Sequence, residues 1–150
     1  MKTIQLTKGK SAVVDDRDHA RVSKISWYAL NLRDRWYAAA SPNGKPTLMH
    51  RFILNAPDGI DVDHKDRDGL NNTRKNLRLA TRSQNNANSR MRKDNTSGHK
   101  GISKHGPSWR IEVMFNGERI RKSGYKTLEA ALTARREIAK EVFGEFYREE

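Results

Sequence analysis

The order of patterns between residues 60 and 91 constrains the fold of this chain more than any other feature. Residues 60–64 alternate apolar and polar side chains, which predicts a short strand. The polar loop KDRDGLNNTRKN follows, and residues 77–80 alternate again. Thr81 can then cap a helix over about residues 82–91. The segment therefore predicts a strand, a long loop, a second strand and a helix.

The composition excludes several classes of protein. The chain has 150 residues, of which 35% are hydrophobic and none is cysteine. This length suits one domain or two small modules, and the missing cysteines exclude disulfides, thiolate zinc sites and cysteine nucleophiles. The sequence contains neither an apolar stretch of about 18 residues nor a secretory signal. We therefore expect a cytoplasmic protein that is neither secreted nor inserted in a membrane.

The first 48 residues predict short strands joined by turns. Two pairs of apolar runs predict two hairpins, namely 3–6 with 11–14 and 27–30 with 36–39. Asp15 and Asp16 can cap a short helix that continues through Ser23. Trp27 and Trp36 are expected to pack in the core, which is the usual place of a large aromatic side chain.

The charge of the chain predicts its partner. Thirty Lys and Arg against 18 Asp and Glu give a formal net charge of +12. Such an excess favours a polyanionic partner, with nucleic acid first and an anionic membrane surface second. Residues 89–140 contain 13 Lys and Arg against 5 Asp and Glu, so most of the excess lies towards the C-terminus.

The C-terminal part predicts a small sheet and one helix. Three short strands are expected over residues 99–104, 109–115 and 118–124. Asn116-Gly117, between the second and third, is a strong hairpin signal. Thr127 can cap a following helix, which Gly144 ends.

Strand alternation divides the side chains of this sheet between two faces. The apolar face would hold Ile102, Trp109, Ile111, Val113, Phe115 and Ile120, and the helix can cover it. The opposite face would present the candidate DNA-binding residues Lys100, Lys104, Arg110, Arg119 and Arg121. Basic side chains on a small sheet can bind phosphates or read guanine edges in the major groove.

Four polar residues of the central segment can form a site for chemistry. Asp63 and His64 end the first strand, Asn76 precedes the second strand, and Asn85 lies on the helix. Carboxylate and amide oxygens suit magnesium, which keeps most of its waters and binds substrate phosphate. A neutral imidazole beside such an ion can take a proton from an attacking water. Together these groups are the parts of metal-assisted phosphodiester hydrolysis.

Structural interpretations of the same residues stay open. An Asp-His pair often lies on a surface without a function, and Asn-rich loops form Asx-turns. Asn76 could therefore serve only to close the loop. His50 could touch a phosphate or pack beneath the site, and Asn88 could approach the metal because it lies one turn from Asn85.

The residues DVDHKDRDGLNNTRKNLRLATRSQNNANS, with MHRFIL before them, resemble the HNH endonuclease family. The resemblance implies a ββα-metal fold in which His64 is the general base, Asn76 orients it, and Asp63 and Asn85 bind a divalent metal. It implies magnesium first and manganese second. Asn85 stands where the third residue of the family name is usually His. Similar members, many of them phage homing endonucleases, also have Asn at this position. The CxxC zinc pairs of many members are absent, so we expect no zinc and a hairpin held by packing, with the N-terminal strands as candidate support.

The residues SGHKGISKHGPSWRIEVMFNGERIRKSGYKTLEAALTARREIAKEVFGEF are similar to the plant ethylene-response-factor (Apetala-two type) DNA-binding domain. The resemblance implies three antiparallel strands on one helix, with DNA bound through the sheet. Ser103 and Met114 lack the charge found at DNA-contacting positions of that family. These two departures affect contacts that would read bases rather than general affinity for DNA.

These observations predict an α+β protein of two modules. A β-rich region (1–48) would support an HNH core (49–92), and a linker (93–98) would lead to the sheet module (99–150). We expect a monomeric, metal-dependent DNA endonuclease of homing type, active in a host-cell cytoplasm on double-stranded DNA. A monomer with one metal site would nick most simply. The alternatives are a DNA-binding regulator with an inactive HNH fold and a nuclease that acts on RNA.

Overall fold

The computed structural model describes residues 1–32, 34–91 and 93–148, and they form two compact units, Met1–Thr81 and Arg82–Glu150. The chain divides between Thr81 and Arg82, whereas the sequence predicted a linker at 93–98. The predicted domain limits at residues 92 and 150 lie outside the described residues. Within these ranges, no helix is both long and apolar enough to cross a bilayer.

The first unit combines three small antiparallel sheets with two short helices. Its strands are β1 (Lys2–Gln5), β2 (Ser11–Val14), β3 (Tyr28–Leu32), β4 (Arg35–Ala40), β5 (Thr47–Leu48), β6 (Asp61–His64) and β7 (Leu77–Ala80). Its helices are α1 (Asp16–Val22) and α2 (Met49–Leu54). The sheets are β1-β2, β3-β4-β5 and β6-β7. The two predicted N-terminal hairpins and the strand–loop–strand order of residues 60–80 are confirmed.

The two N-terminal tryptophans have different environments. Trp27 is buried, and its indole N–H donates to the carbonyl of Val22 at 2.9 Å, so its predicted core position is confirmed. Trp36 is only partly buried, and the ammonium groups of Lys8 and Lys10 lie 5.4 and 5.2 Å from its ring centroid. The core prediction is wrong for Trp36, because lysine side chains rather than apolar ones cover its ring.

Helix α2 was not predicted. Met49 and Ile53 lie one turn apart and are fully buried, which gives this short helix a reason to form. Asn55 ends it in the left-handed conformation, with φ 48°. Arg51 then fastens the following turn, donating to the carbonyls of Ala56 at 3.2 Å and Pro57 at 2.8 Å.

One hydrophobic core joins the elements of the first unit. It contains Ile4, Ala12, Val14, Val22, Trp27, Ala38, Ala40, Met49, Ile53, Val62 and Leu77. These residues come from both N-terminal hairpins, both helices and the β6–β7 hairpin. The β6–β7 hairpin is thus held by packing on the N-terminal strands, as the sequence suggested, and no structural break falls between residues 48 and 49.

The second unit contains a three-stranded antiparallel sheet packed on one helix, as predicted. It comprises α3 (Arg82–Asn88), β8 (Ile102–His105), β9 (Ser108–Phe115), β10 (Glu118–Tyr125) and α4 (Leu128–Phe143), with sheet order β10-β9-β8. Asn116 and Gly117 have φ values of 49° and 86°, the signature of a type I′ turn, and the hairpin predicted there is confirmed. Ile102, Ile111 and Ala131 form the core between sheet and α4.

The predicted ends of the last helix are confirmed. The Thr127 hydroxyl accepts from the N–H of Ala130 at 3.2 Å, which caps the first turn of α4. Gly144 ends the helix with φ 51°. Helix α3 ends at Asn88, earlier than the predicted limit near residue 91.

Candidate functional site

Asp63 and His64 lie side by side at the end of β6, and both are buried. In the β6–β7 ladder Asp63 pairs with Arg78 and His64 pairs with Leu77. Arg78 donates from both Nε and Nη2 to Oδ2 of Asp63, each at 2.8 Å. The guanidinium therefore fixes the carboxylate from the neighbouring strand.

The imidazole of His64 lies in a polar-lined, buried setting. The ring of His50 stands perpendicular to it at 4.8 Å between centroids, and the ring of Tyr37 lies at 6.0 Å. The Nε2 atom lies 3.4 Å from Oδ1 of Asn72. Burial lowers the pKa of His64, although the Asn72 bond and nearby carboxylates, first that of Asp66, oppose the shift. The neutral ring, which can accept a proton, is therefore favoured at neutral pH.

His50 lies beneath the site. It is 6% exposed, and burial lowers its pKa to about 3, with repulsion from His64 as the next cause. Its Nδ1 atom has no hydrogen-bond partner among the residues that the structure describes. Of the two roles left open for His50, this position favours packing under His64 over contact with a phosphate.

Asn76 closes the loop between β6 and β7. Its Oδ1 accepts from the N–H of Asp66 at 3.0 Å, and its Nδ2 donates to Asp66 Oδ1 and to the carbonyl of Asn71, both at 2.8 Å. These bonds hold the loop that follows His64, and the expected role of Asn76 in orienting His64 stays a prediction. The amide next to the ring belongs to Asn72, which the sequence analysis did not single out.

The same loop is fastened to the N-terminal elements. The N–H of Val13 donates to the carbonyl of Leu70 at 2.9 Å, and the N–H of Asn72 donates to the carbonyl of Val13 at 2.8 Å. Gly69 packs against the backbone of Trp36 and the ring of Tyr37, so closely that a Cβ atom would clash with both. Strand β2 and strand β4 thus position the loop that carries Asn72.

An ion pair between a half-buried arginine and a buried aspartate adds a second attachment. Arg74 donates from Nε to Oδ2 of Asp18 at 2.7 Å and from Nη2 to Oδ1 of Asp18 at 2.8 Å. The N–H of Arg74 donates to Oδ2 of Asp15 at 2.7 Å. Asp15 does stand at the N-terminus of α1, but its side chain makes no cap there. The predicted capping role of Asp15 is therefore wrong, because its carboxylate receives the loop instead.

Asn85 and Asn88 lie on α3, which belongs to the second unit. Asn88 is buried. The expected approach of Asn85 or Asn88 to the β6–β7 hairpin stays a prediction.

The donors of the first unit can be compared with the needs of a metal. Among the described residues there is no cluster of three or more His, Cys, Asp or Glu side chains. Asp63 offers a hard carboxylate, which suits a magnesium ion that keeps several waters and takes further oxygen ligands from a phosphate. Arg78 already contacts Oδ2 of this carboxylate, so a bound ion would share Asp63 with the guanidinium.

The basic face of the C-terminal sheet is partly paired internally. Arg121 donates to Glu112 at 2.8 Å, and Arg119 lies 3.8 Å from the same carboxylate. The hydrogen bond from Arg121 is the main cause that lowers the pKa of Glu112. Lys104 lies 4.4 Å from the ring centroid of Trp109, and Arg110 is partly buried on β9. The alternation of the strands does not by itself indicate the part that Glu112 plays in this face.

Lys100 is not on the sheet. Strand β8 begins at Ile102, and the Lys100 ammonium donates to the carbonyls of Asn86, Ala87 and Ser89 at 2.7 to 3.0 Å. These carbonyls lie at the C-terminal end of α3, where a cation is favoured. The predicted strand position of Lys100 is therefore wrong, because its side chain caps α3.

Comparison with known proteins places this site in a family. A family model described as HNH endonuclease matches residues 55–87, which include Asp63, His64, Asn76 and Asn85. An uncharacterized HNH endonuclease of Acanthamoeba polyphaga mimivirus is 37% identical over 146 residues, covering 93% of this chain and 74% of its own length.

The chain belongs to the HNH endonuclease family. The chain is also similar to Protein 3.8 of Escherichia phage T7. The two are 36% identical over 94 residues, which cover 61% of this chain and 77% of the phage protein. No solved structure matches the chain.

Proposed function

We propose that this HNH family member is a metal-dependent endonuclease that hydrolyses phosphodiester bonds in double-stranded DNA. The observation that carries the proposal is the buried Asp63-His64 pair at the end of β6, within the family match. The pair supplies a carboxylate that suits a hard metal and an imidazole that burial keeps neutral.

In this proposal each residue has one role. His64 takes a proton from the water that attacks the phosphorus atom. Asp63, with Asn85, holds a magnesium or manganese ion, and Arg78 keeps the Asp63 carboxylate in place. A bound ion would supply stabilisation of the negative charge that builds up on the phosphate oxygens. Asn76 keeps the loop closed, and His50 packs beneath His64.

The charge supports DNA as the partner of both units. Counted from Met1 to Thr81 and from Arg82 to Glu150, each unit has 15 Lys and Arg against 9 Asp and Glu. The first unit, which holds the proposed nuclease site, therefore attracts phosphates by its own positive charge. The excess of positive charge is densest over residues 89–140. DNA binding should weaken steeply as salt rises, because contacts to phosphates release counterions.

The C-terminal sheet is proposed as the targeting module, similar to an Apetala-two type domain. Lys104, Arg110, Arg119 and Arg121 are its DNA-binding residues, whereas Lys100 contributes less because it caps α3. A nuclease site contacts mainly the DNA backbone, and backbone contacts carry no sequence information, so a second module is needed to select a target. Homing, nicking by a monomer and action in a host cytoplasm belong to this proposal.

The test is cleavage of supercoiled plasmid and host genomic DNA in magnesium, in manganese and in EDTA. The proposal expects conversion of the plasmid to open circle or linear DNA with either metal and not with EDTA. Asp63→Asn should abolish conversion, whereas Asp58→Asn, the same change in the exposed turn before β6, should not. Conversion that is unaffected by Asp63→Asn would contradict the assigned site.

The rival function is DNA binding by an inactive HNH fold. It predicts a gel shift without metal-dependent cleavage on any DNA, and an identical shift with Asp63→Asn. A folded RNA substrate in the same assay tests the other alternative, since preferential cleavage of RNA would replace DNA as the substrate.

A further inference from the structure

One buried amide lies beside the ring of His64, and its own neighbours fix its orientation. Asn72 is completely buried, and its Nδ2 lies 3.4 Å from the carbonyl oxygen of Gly69 and 3.2 Å from that of Leu70. An amide nitrogen donates and a carbonyl oxygen accepts, so this end of the amide must be the NH2 group. The opposite orientation would place Oδ1 of Asn72 against two other acceptors.

The other end of the same amide therefore faces His64 as an acceptor. Oδ1 of Asn72 lies 3.4 Å from Nε2 of the ring. In a neutral imidazole one nitrogen donates and the other accepts. A ring that meets an acceptor at Nε2 keeps its proton there, which leaves the lone pair on Nδ1.

The backbone of Asn72 is held by strand β2. Its N–H donates to the carbonyl of Val13 at 2.8 Å, and the neighbouring N–H of Val13 donates to Leu70 at 2.9 Å. A β-bridge joins Val13 and Asn71 at the same point. Strand β2 therefore fixes both the backbone of Asn72 and one of the two carbonyls that orient its amide.

We propose that Asn72 is the positioning residue for the general base. It keeps the proton of the neutral His64 ring on Nε2 and so makes Nδ1 the nitrogen that accepts a proton from water. The inference rests on the proposed nuclease function for its kinetic consequence, but the position of the proton does not depend on any activity. It also gives the N-terminal β2 strand a part in the site.

The first test is the tautomer of His64 in the wild-type protein. Two-bond ¹⁵N–¹H correlation spectra distinguish the two neutral tautomers by the chemical shifts of the ring nitrogens, and comparison with His64→Gln assigns the signals among the 5 histidines. The proposal expects the proton on Nε2. A proton on Nδ1 overturns it, whether or not the protein cleaves DNA, so this result is separate from the fate of the proposed function.

The second test is Asn72→Leu, in which the side chain has a similar size but offers no acceptor to the ring. Where the hydrogen-bond partner behind a metal-binding histidine is lost, activity typically falls by about 10- to 100-fold. We expect a loss of about that size in single-turnover cleavage with DNA affinity unchanged, together with a mixture of the two tautomers of His64.

Asn76→Ala separates positioning from loop stability. The amide of Asn76 closes the same loop through its bonds to Asp66 and Asn71, and these bonds do not involve the His64 ring. Two results found together would refute the positioning role. Asn72→Leu and Asn76→Ala would each slow cleavage in proportion to their loss of melting temperature, and both would keep the wild-type tautomer of His64. If Asn72→Leu fails to fold, the wild-type tautomer still decides the proposal.

Discussion

Removal of one partner of the ion pair between Arg74 and Asp18 is predicted to destabilise the first unit. Two short hydrogen bonds join the side chains, and Asp18 is 3% exposed. In Arg74→Met this buried carboxylate would keep only the longer bond from Arg21, at 3.4 Å, which compensates part of its negative charge. Removal of one partner from a buried pair costs about 3–5 kcal/mol. Because the Arg74 side chain is 33% exposed, water offsets part of that cost, and we expect a loss of about 2–3 kcal/mol.

The same pair predicts how the effect depends on pH. The hydrogen bond from Arg74 is the main cause that lowers the pKa of Asp18 in the folded protein. The stabilisation is therefore fully present above the ordinary carboxyl pKa of about 3.9. It is lost as pH falls through the lowered folded-state value. The difference between wild type and Arg74→Met should thus be large at pH 7 and shrink towards pH 3.

Urea unfolding followed by tryptophan fluorescence measures this difference. A Trp109→Phe background leaves Trp27 and Trp36, both in the first unit, as the only tryptophans. Arg17→Met, an exposed charge removal on α1, is the matched control. Unfolding free energies of Arg74→Met and Arg17→Met within about 0.5 kcal/mol of each other at pH 7, the range typical of surface substitutions, would refute the reasoning.

Three further variants test other contacts. Gly69→Ala places a methyl group 2.6 Å from Cδ1 of Tyr37, so it should lower the free energy of unfolding by about 1–3 kcal/mol and slow cleavage. An unchanged melting temperature and cleavage rate would contradict this packing. Glu112→Gln releases Arg121 from its ion pair and should tighten DNA binding, by less than about tenfold in a gel shift, because exposed pairs are weak; weaker binding would contradict the proposed sheet surface. Lys100→Met removes a cap from α3 and should destabilise the second unit by about 1–2 kcal/mol in thermal unfolding. A large loss of DNA affinity at unchanged stability would restore Lys100 to the DNA-binding surface.

Local signals made much of the fold predictable. The Asn116-Gly117 turn, the Thr127 cap and the alternation around Asp63-His64 depend on residues close together in the chain. The structure bears out each of them. For the same reason the C-terminal sheet and helix could be predicted as a unit.

Contacts between distant residues were not predictable. Arg74 and Asp18 are 56 residues apart, and nothing in the sequence around either one indicates the other. The spacing of the family motif selects Asn76. Asn72 reaches the ring because it is buried and its amide bonds the carbonyls of Gly69 and Leu70, which the spacing does not indicate. Helix α2 has only six residues and no capping side chain, so its sequence carries little helical signal.

The central claim is that His64 acts as the base of a DNA-cleaving site, and the most direct measurement is single-turnover plasmid cleavage by His64→Ala. DNA binding is measured in parallel by gel shift, with His19→Ala on α1 as the control. General-base catalysis contributes about 10²- to 10⁴-fold, so the rate should fall by at least about 100-fold while affinity stays the same. A cleavage rate equal to that of the wild type would contradict the account.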